Sequence, residues 1–170
     1  DIYNAEGNHT GLISTSTPGS DFRRFEANIP NSYYLEFGEI KYAGAGVSST
    51  TTAVLIGQST GTFTLEAEEL IGNTVTTSSV FIDIPVVEGA RAVVEIADSS
   101  ISPTLNLDMD HDGVFDVELT SGAGISTEEM IGILRGIIKT FVLPAKKTAR
   151  LEKIFDKIGK QTQQLSFLIT

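Results

Sequence analysis

The chain is 170 residues long, 41% hydrophobic and 20% charged, enough for one ordinary domain or one domain with a small annex. It has no cysteine, which excludes thiolate metal sites and a cysteine nucleophile, and its net charge of −10 argues against a nucleic-acid partner, whose phosphates need a basic face. No apolar run approaches the roughly 18 residues of a transmembrane helix, so no transmembrane segment is expected. Both apolar ends, Ile2-Tyr3 and Phe167-Leu168-Ile169, are expected to continue into a longer polypeptide.

Residues 1–124 read as β structure, rich in Thr, Val, Ile, Tyr and Phe and punctuated by Gly, Asn and Pro. Strands are predicted near 33–37, 39–43, 50–56, 62–70, 74–83, 89–97, 103–108 and 114–119, with turns at 6–8 and 57–61. Gly72-Asn73 lies between two β-rich runs and predicts a tight hairpin. Phe63, Leu65 and Ala67 alternate with Thr64, Glu66 and Glu68, the period of two that gives a strand one wet face. Many short antiparallel strands favour a mainly β fold, an antiparallel β-sandwich, over a βαβ arrangement.

The pattern changes after residue 124, so the predicted organisation is a β-sandwich over 1–124 and a helical extension over 125–170, packed on the sandwich or starting the next domain. Ser126-Thr-Glu-Glu129 is a capping box, flanked by Ile125 and Met130 at hydrophobic-staple positions. Met130, Leu134, Ile137 and Phe141 then recur at helical spacing, and Pro144 is expected to end this helix and open another. Leu151, Ile154, Phe155 and Ile158 mark the buried face of the second helix, and Gly159 is a candidate break before a short amphipathic tail, 161–169, so two or three C-terminal α-helices are expected. The opposite face carries Lys146, Lys147, Arg150, Lys153 and Lys157, interrupted by Glu152 and Asp156. Residues 1–125 carry 18 acidic and 4 basic side chains, whereas residues 126–170 carry 4 and 8. The basic helix face is therefore expected to be solvated or to dock on the acidic β region.

The sharpest motif is Asp108-Met-Asp-His-Asp-Gly-Val-Phe-Asp116. Calcium takes six to eight oxygen ligands, and carboxylates at alternate positions of a tightly curled loop converge on one point. Asp108, Asp110, Asp112 and Asp116, with the carbonyl of Val114, are the expected ligands, and Glu118 is a further candidate. Gly113 permits the sharp turn, and His111 falls where such loops call for a left-handed backbone. A helix–loop–helix site would place a Glu twelfth from the first Asp, but that residue is Leu119. Leu105, Leu107 and Met109 before the loop, and Phe115, Val117 and Leu119 after it, alternate as strands do. The loop therefore reads as a metal-pinned β connection. Four acids in nine residues would repel one another without a counter-ion, which favours a Ca²⁺ cofactor over a bare acidic turn.

Over these nine residues the loop resembles the Asp-rich calcium loops of dockerins and thrombospondin type 3 repeats. Over a longer span, Asp1-Ile-Tyr-Asn-Ala-Glu-Gly-Asn-His-Thr-Gly11, Ile29-Pro-Asn-Ser-Tyr-Tyr34, Gly57-Gln-Ser-Thr-Gly-Thr-Phe-Thr-Leu-Glu66 and Phe81-Ile-Asp-Ile-Pro85 resemble C-terminal β-sandwich modules of secreted bacterial and archaeal multidomain proteins. That resemblance implies an accessory role in an exported or cell-surface protein, with the other domains of the parent chain as partners.

Catalysis finds little support in the sequence. Nucleophilic chemistry needs a base beside the nucleophile. His9 falls in an expected turn and His111 in the acidic loop, with no Gly-x-Ser-x-Gly motif. Glu66 and Glu68 share a strand face, expected to face solvent rather than to form a glycosidase pair. Tyr33, Tyr34, Phe37 and Tyr42 offer the material for a sugar-stacking platform and hence an alternative role in carbohydrate binding or adhesion, with a cell-surface glycan or protein as partner. Adjacent Tyr33 and Tyr34 would face opposite sides of a strand, and core packing is the simpler expectation for most of the four. The sequence thus predicts a non-catalytic, calcium-binding structural module.

Overall fold

The computed structural model describes residues 1–13, 24–46, 50–96, 104–122 and 124–169, with side chains to residue 162. The strands are β1 (Ile2–Asn4), β2 (His9–Ile13), β3 (Arg24–Ala27), β4 (Tyr33–Phe37), β5 (Ile40–Gly44), β6 (Thr51–Ile56), β7 (Gly61–Ile71), β8 (Thr74–Val86), β9 (Arg91–Ile96), β10 (Thr104–Asp108) and β11 (Val117–Thr120). Two helices follow, α1 (Thr127–Lys139) and α2 (Ala145–Ile169). The fold is mainly β, with antiparallel strand pairs and two C-terminal helices, the class the sequence predicts. The chain forms two compact units, Asp1–Leu55 with Val93–Pro103, and Ile56–Ala92 with Thr104–Thr170.

In the first unit the strands lie in the order β9-β6-β1-β2-β3, beside the separate hairpin β4–β5. The predicted turn at 6–8 joins β1 to β2. The Asn4 side-chain oxygen accepts the N–H groups of Glu6 and Asn8, and Gly7 takes a left-handed backbone at φ 80°. His9 is not in that turn: it opens β2 opposite Tyr3 and stacks on its ring at 4.7 Å. Thr10 is fully buried, its hydroxyl satisfied by Ser32 at 2.6 Å.

In the second unit β7 and β8 form the long hairpin predicted around Gly72-Asn73, with Ile71 opposite Thr74. The predicted alternation holds, Phe63, Leu65 and Ala67 being half-buried and Thr64, Glu66 and Glu68 exposed. β10 and β11 pair Leu105 with Leu119 and Leu107 with Val117. Leu105, Leu107, Met109 and, from α1, Ile133 are essentially buried. Burying such side chains contributes ~1.5–3 kcal/mol each, which fixes the end of β10 from which the acidic loop springs.

The capping box forms as expected: Glu129 N–H donates to Ser126 Oγ at 3.2 Å, and Ser126 N–H to Glu129 Oε2 at 2.6 Å. The carbonyl of Pro144 accepts from the N–H groups of Lys147 and Thr148 as α2 begins. α2 runs unbroken through Gly159, so among the described residues the expected two or three C-terminal helices are two. A helical glycine costs only ~1 kcal/mol relative to alanine. Gly159 faces α1, where a β-carbon would lie 3.8 Å from Ile131 Cδ1. Glu152 and Asp156, which interrupt the basic face in sequence, both hold Arg135 of α1, at 2.9 and 2.6 Å.

Candidate metal centre

The acidic loop begins where β10 ends, and its first carboxylate is the most enclosed. Asp108 is 3% exposed, and a carboxylate so placed must be hydrogen-bonded or paired with charge. Both its oxygens accept backbone N–H groups, Oδ1 from His111 at 2.8 Å and Oδ2 from Gly113 at 3.1 Å. The chain can curl back this way because His111 and Gly113 adopt left-handed conformations, φ 64° and 87°. The sequence predicts both features. Asp110 Oδ1 accepts the N–H of Asp112, and Asp112 Oδ1 the N–H of Val114. The loop is thus a series of side-chain-to-backbone turns.

Beyond the turn the chain returns to β10. Asp116 N–H donates to the Leu107 carbonyl at 2.7 Å, and Asp116 Oδ2 accepts the Met109 N–H at 2.9 Å. β11 starts only at Val117, so residues 114–116, read from sequence as strand, belong to the loop, and Val114 and Phe115 are exposed.

Asp108, Asp110 and Asp116 each present an oxygen within 4.8 Å of the other two, and this cluster could hold a metal ion. Of the four expected carboxylate ligands these three come together. Asp112 instead caps the Val114 N–H. Glu118, opposite Asn106 in the ladder, stands outside the cluster.

Sequence reasoning missed the counter-ion. Lys139, the last residue of α1, places its ammonium 2.8 Å from Asp116 Oδ1 and 3.2 Å from Asp110 Oδ2. Hydrogen bonding to Asp116, reinforced by Asp110, raises the Lys139 pKa well above its ordinary value despite some desolvation. Two glycines bring α1 close enough for this. A β-carbon at Gly136 would lie 2.5 Å from Met109 Cβ and 2.6 Å from Asp116 Oδ2, and one at Gly132 would lie 3.3 Å from the Val117 side chain. The signal available in sequence was the spacing Gly132, Gly136, Lys139, which puts all three on one helix face.

The acidic cluster does not include the other sequence candidates. His9 Nδ1 is 2.6 Å from Glu26 Oε1, tying β2 to β3. Glu66 accepts from Ser78 across the β7–β8 ladder. Tyr33, Phe37 and Tyr42 are about half-exposed rather than core, while Tyr34 turns to the other face of its hairpin and stacks on Phe25 at 5.3 Å. No helix among the described residues is long and apolar enough to cross a membrane. No protein-family model, curated protein or solved structure matches the chain.

Proposed function

We propose that the chain is a non-catalytic structural module of an exported or cell-surface protein, in which Asp108, Asp110 and Asp116 hold a Ca²⁺ ion that pins the β10–β11 connection. The observation that carries this reading is the convergence of three carboxylates from alternating and returning positions of one loop, with left-handed backbone at residues 111 and 113. Such all-oxygen, acidic surroundings suit a hard cation. On this reading the second oxygen of Asp112, the Val114 carbonyl and water would complete its shell. The ion would neutralise the cluster and tie the loop to the end of the β10–β11 ladder. Extracellular modules commonly bind calcium at ~10⁻⁴–10⁻³ M, and ion at ~100 times the dissociation constant would add ~2.7 kcal/mol of stability.

A second reading has its own observation. The Lys139 ammonium already bridges two of the three carboxylates, and an ammonium so placed supplies the neutralising charge without any metal. Thermal unfolding and calorimetry on chelator-treated protein separate the two. Under the calcium reading, added Ca²⁺ binds and raises the unfolding midpoint of the parent, and Asp110→Asn removes both effects. No heat of binding and no change in midpoint would leave the loop as a lysine-latched acidic turn.

A further inference from the structure

The β4–β5 hairpin has one occupied face and one bare face. Its register places Leu35 opposite Tyr42, Phe37 opposite Ile40 and Tyr33 opposite Gly44, and directly paired residues project to the same side of a sheet. The other side carries Tyr34 and Glu36. Tyr34 stacks on Phe25 of β3, its hydroxyl donates to Glu36 at 2.9 Å, and Lys41 lies 3.8 Å from the same carboxylate. That side is engaged within its unit. On the bare side Tyr33, Leu35, Phe37, Ile40 and Tyr42 are 47–63% exposed.

The bare face is flat as well as apolar. Gly44 has no side chain to lift the opposing ring, and a β-carbon there would sit 2.6 Å from Tyr33 Cε1 and Cζ, so that ring lies across the strand. Phe37 and Tyr42 meet edge to face, with centroids 6.2 Å apart. An aromatic side chain buries ~150–250 Å² when fully covered, so five large side chains at about half exposure present roughly 500 Å². That is at the upper end of the apolar patches found on monomers, which run to ~300–600 Å².

We propose that this face is a self-association surface, the bare sides of two β4–β5 hairpins packing against each other about a two-fold axis. Two such faces bury a total of ~1,000 Å², which meets the lower bound for a specific interface and falls in its transient class. Charge makes this the face on which two copies can meet. The chain carries a net −10, so most surfaces of two copies repel, but the strand positions on this face hold no charged side chain. A sheet face that meets its own copy is self-complementary, as a two-fold contact requires. A glycan fits less well: sugar sites place several convergent polar groups beside their aromatics, whereas the strand positions here offer only the hydroxyls of Tyr33 and Tyr42.

Sedimentation velocity and equilibrium on the 170-residue chain test this. Dimer should appear in reversible exchange with monomer as concentration rises, as suits a contact of the transient class. Leu35→Thr/Phe37→Thr, which keeps β-forming residues at both positions, should sediment as monomer at every concentration. Its circular dichroism and unfolding midpoint at low concentration should match the parent. Leu70→Thr/Ile71→Thr, which removes exposed apolar groups from the tip of the β7–β8 hairpin instead, should leave the dimer intact. A parent that stays monomeric up to millimolar concentration overturns the proposal, as does a dimer lost equally in the Leu70/Ile71 variant. A monomer that binds a soluble polysaccharide, with binding lost in the Leu35/Phe37 variant, overturns it in favour of a glycan-binding face.

Discussion

Replacing Lys139 with methionine isolates the role of the ammonium, because the aliphatic stem is kept while the charge is removed. The two ion pairs join a side chain that is 53% exposed to carboxylates that are 6% and 10% exposed. Fully exposed pairs contribute ~0.2–1 kcal/mol each, and enclosed carboxylates place these two near the top of that range. Lys139→Met in metal-free protein should therefore cost about 1–2 kcal/mol, or ~2–8 °C in midpoint for a chain of this size. The same figure sets the effect on calcium. A Ca²⁺ ion entering the cluster of the parent must displace the ammonium, whereas in the variant it has no competitor. Calorimetric titration should then show the variant binding calcium ~5–30-fold more tightly than the parent, the ratio that 1–2 kcal/mol corresponds to. An unchanged metal-free midpoint would refute the latch. Weaker calcium binding by the variant would refute the competition, and absence of binding in both proteins would refute the calcium reading itself.

The glycine seat of α1 predicts a graded response. Gly136→Ala should destabilise by ~1–2 kcal/mol in chemical unfolding, because overpacking against Met109 and Asp116 outweighs the ~1 kcal/mol gained in helix propensity, whereas Gly132→Ala, with 3.3 Å to Val117, should fall within about 1 kcal/mol of the parent. The ion pair also has an alkaline signature. The folded pKa of Lys139 is raised above its ordinary 10.5, so its stabilisation is complete below pH 10.5 and lost as pH rises through the higher folded value. The stability difference between parent and Lys139→Met in metal-free protein should accordingly be flat up to about pH 10 and shrink above it, and a difference that shrank on acidification alone would contradict this assignment.

What could be read from sequence was what depends on neighbours in the chain. The capping box at Ser126–Glu129, the hairpin at Gly72-Asn73 and the alternation over Phe63–Glu68 are local patterns, and all appear in the structure. The left-handed residues of the acidic loop belong with them, since His111 and Gly113 follow from the spacing of the aspartates. The misses depend on distant partners. β3 is a four-residue strand, Arg-Phe-Glu-Ala, with no β-rich run of its own; it exists because β2 offers it an edge. His9 borders a turn in sequence, yet its place in β2 is set by pairing with Tyr3 and by Glu26. Tyr33, Phe37 and Tyr42 share an exposed face because Tyr34 takes the contact with Phe25, a choice that no single strand's pattern encodes.

The acidic loop shows most clearly how a local argument can be sound and incomplete. Four aspartates in nine residues repel one another, and within that window the sequence holds no Lys or Arg. Folding brings a positive charge from Lys139, 23 residues beyond Asp116. Placing it required α1 to approach closely, and that approach required residues that a helix ordinarily disfavours at ~1 kcal/mol each. Gly132 and Gly136 are thus best explained together with Lys139, as one device that seats a positive charge at the C-terminal end of a helix, where the dipole also favours it. A loop that carries its own counter-ion can keep its shape without metal. Calcium, on the function proposed here, would then tighten a connection already formed rather than trigger its folding. Chelation should accordingly lower the unfolding midpoint while the far-ultraviolet circular dichroism at room temperature stays unchanged.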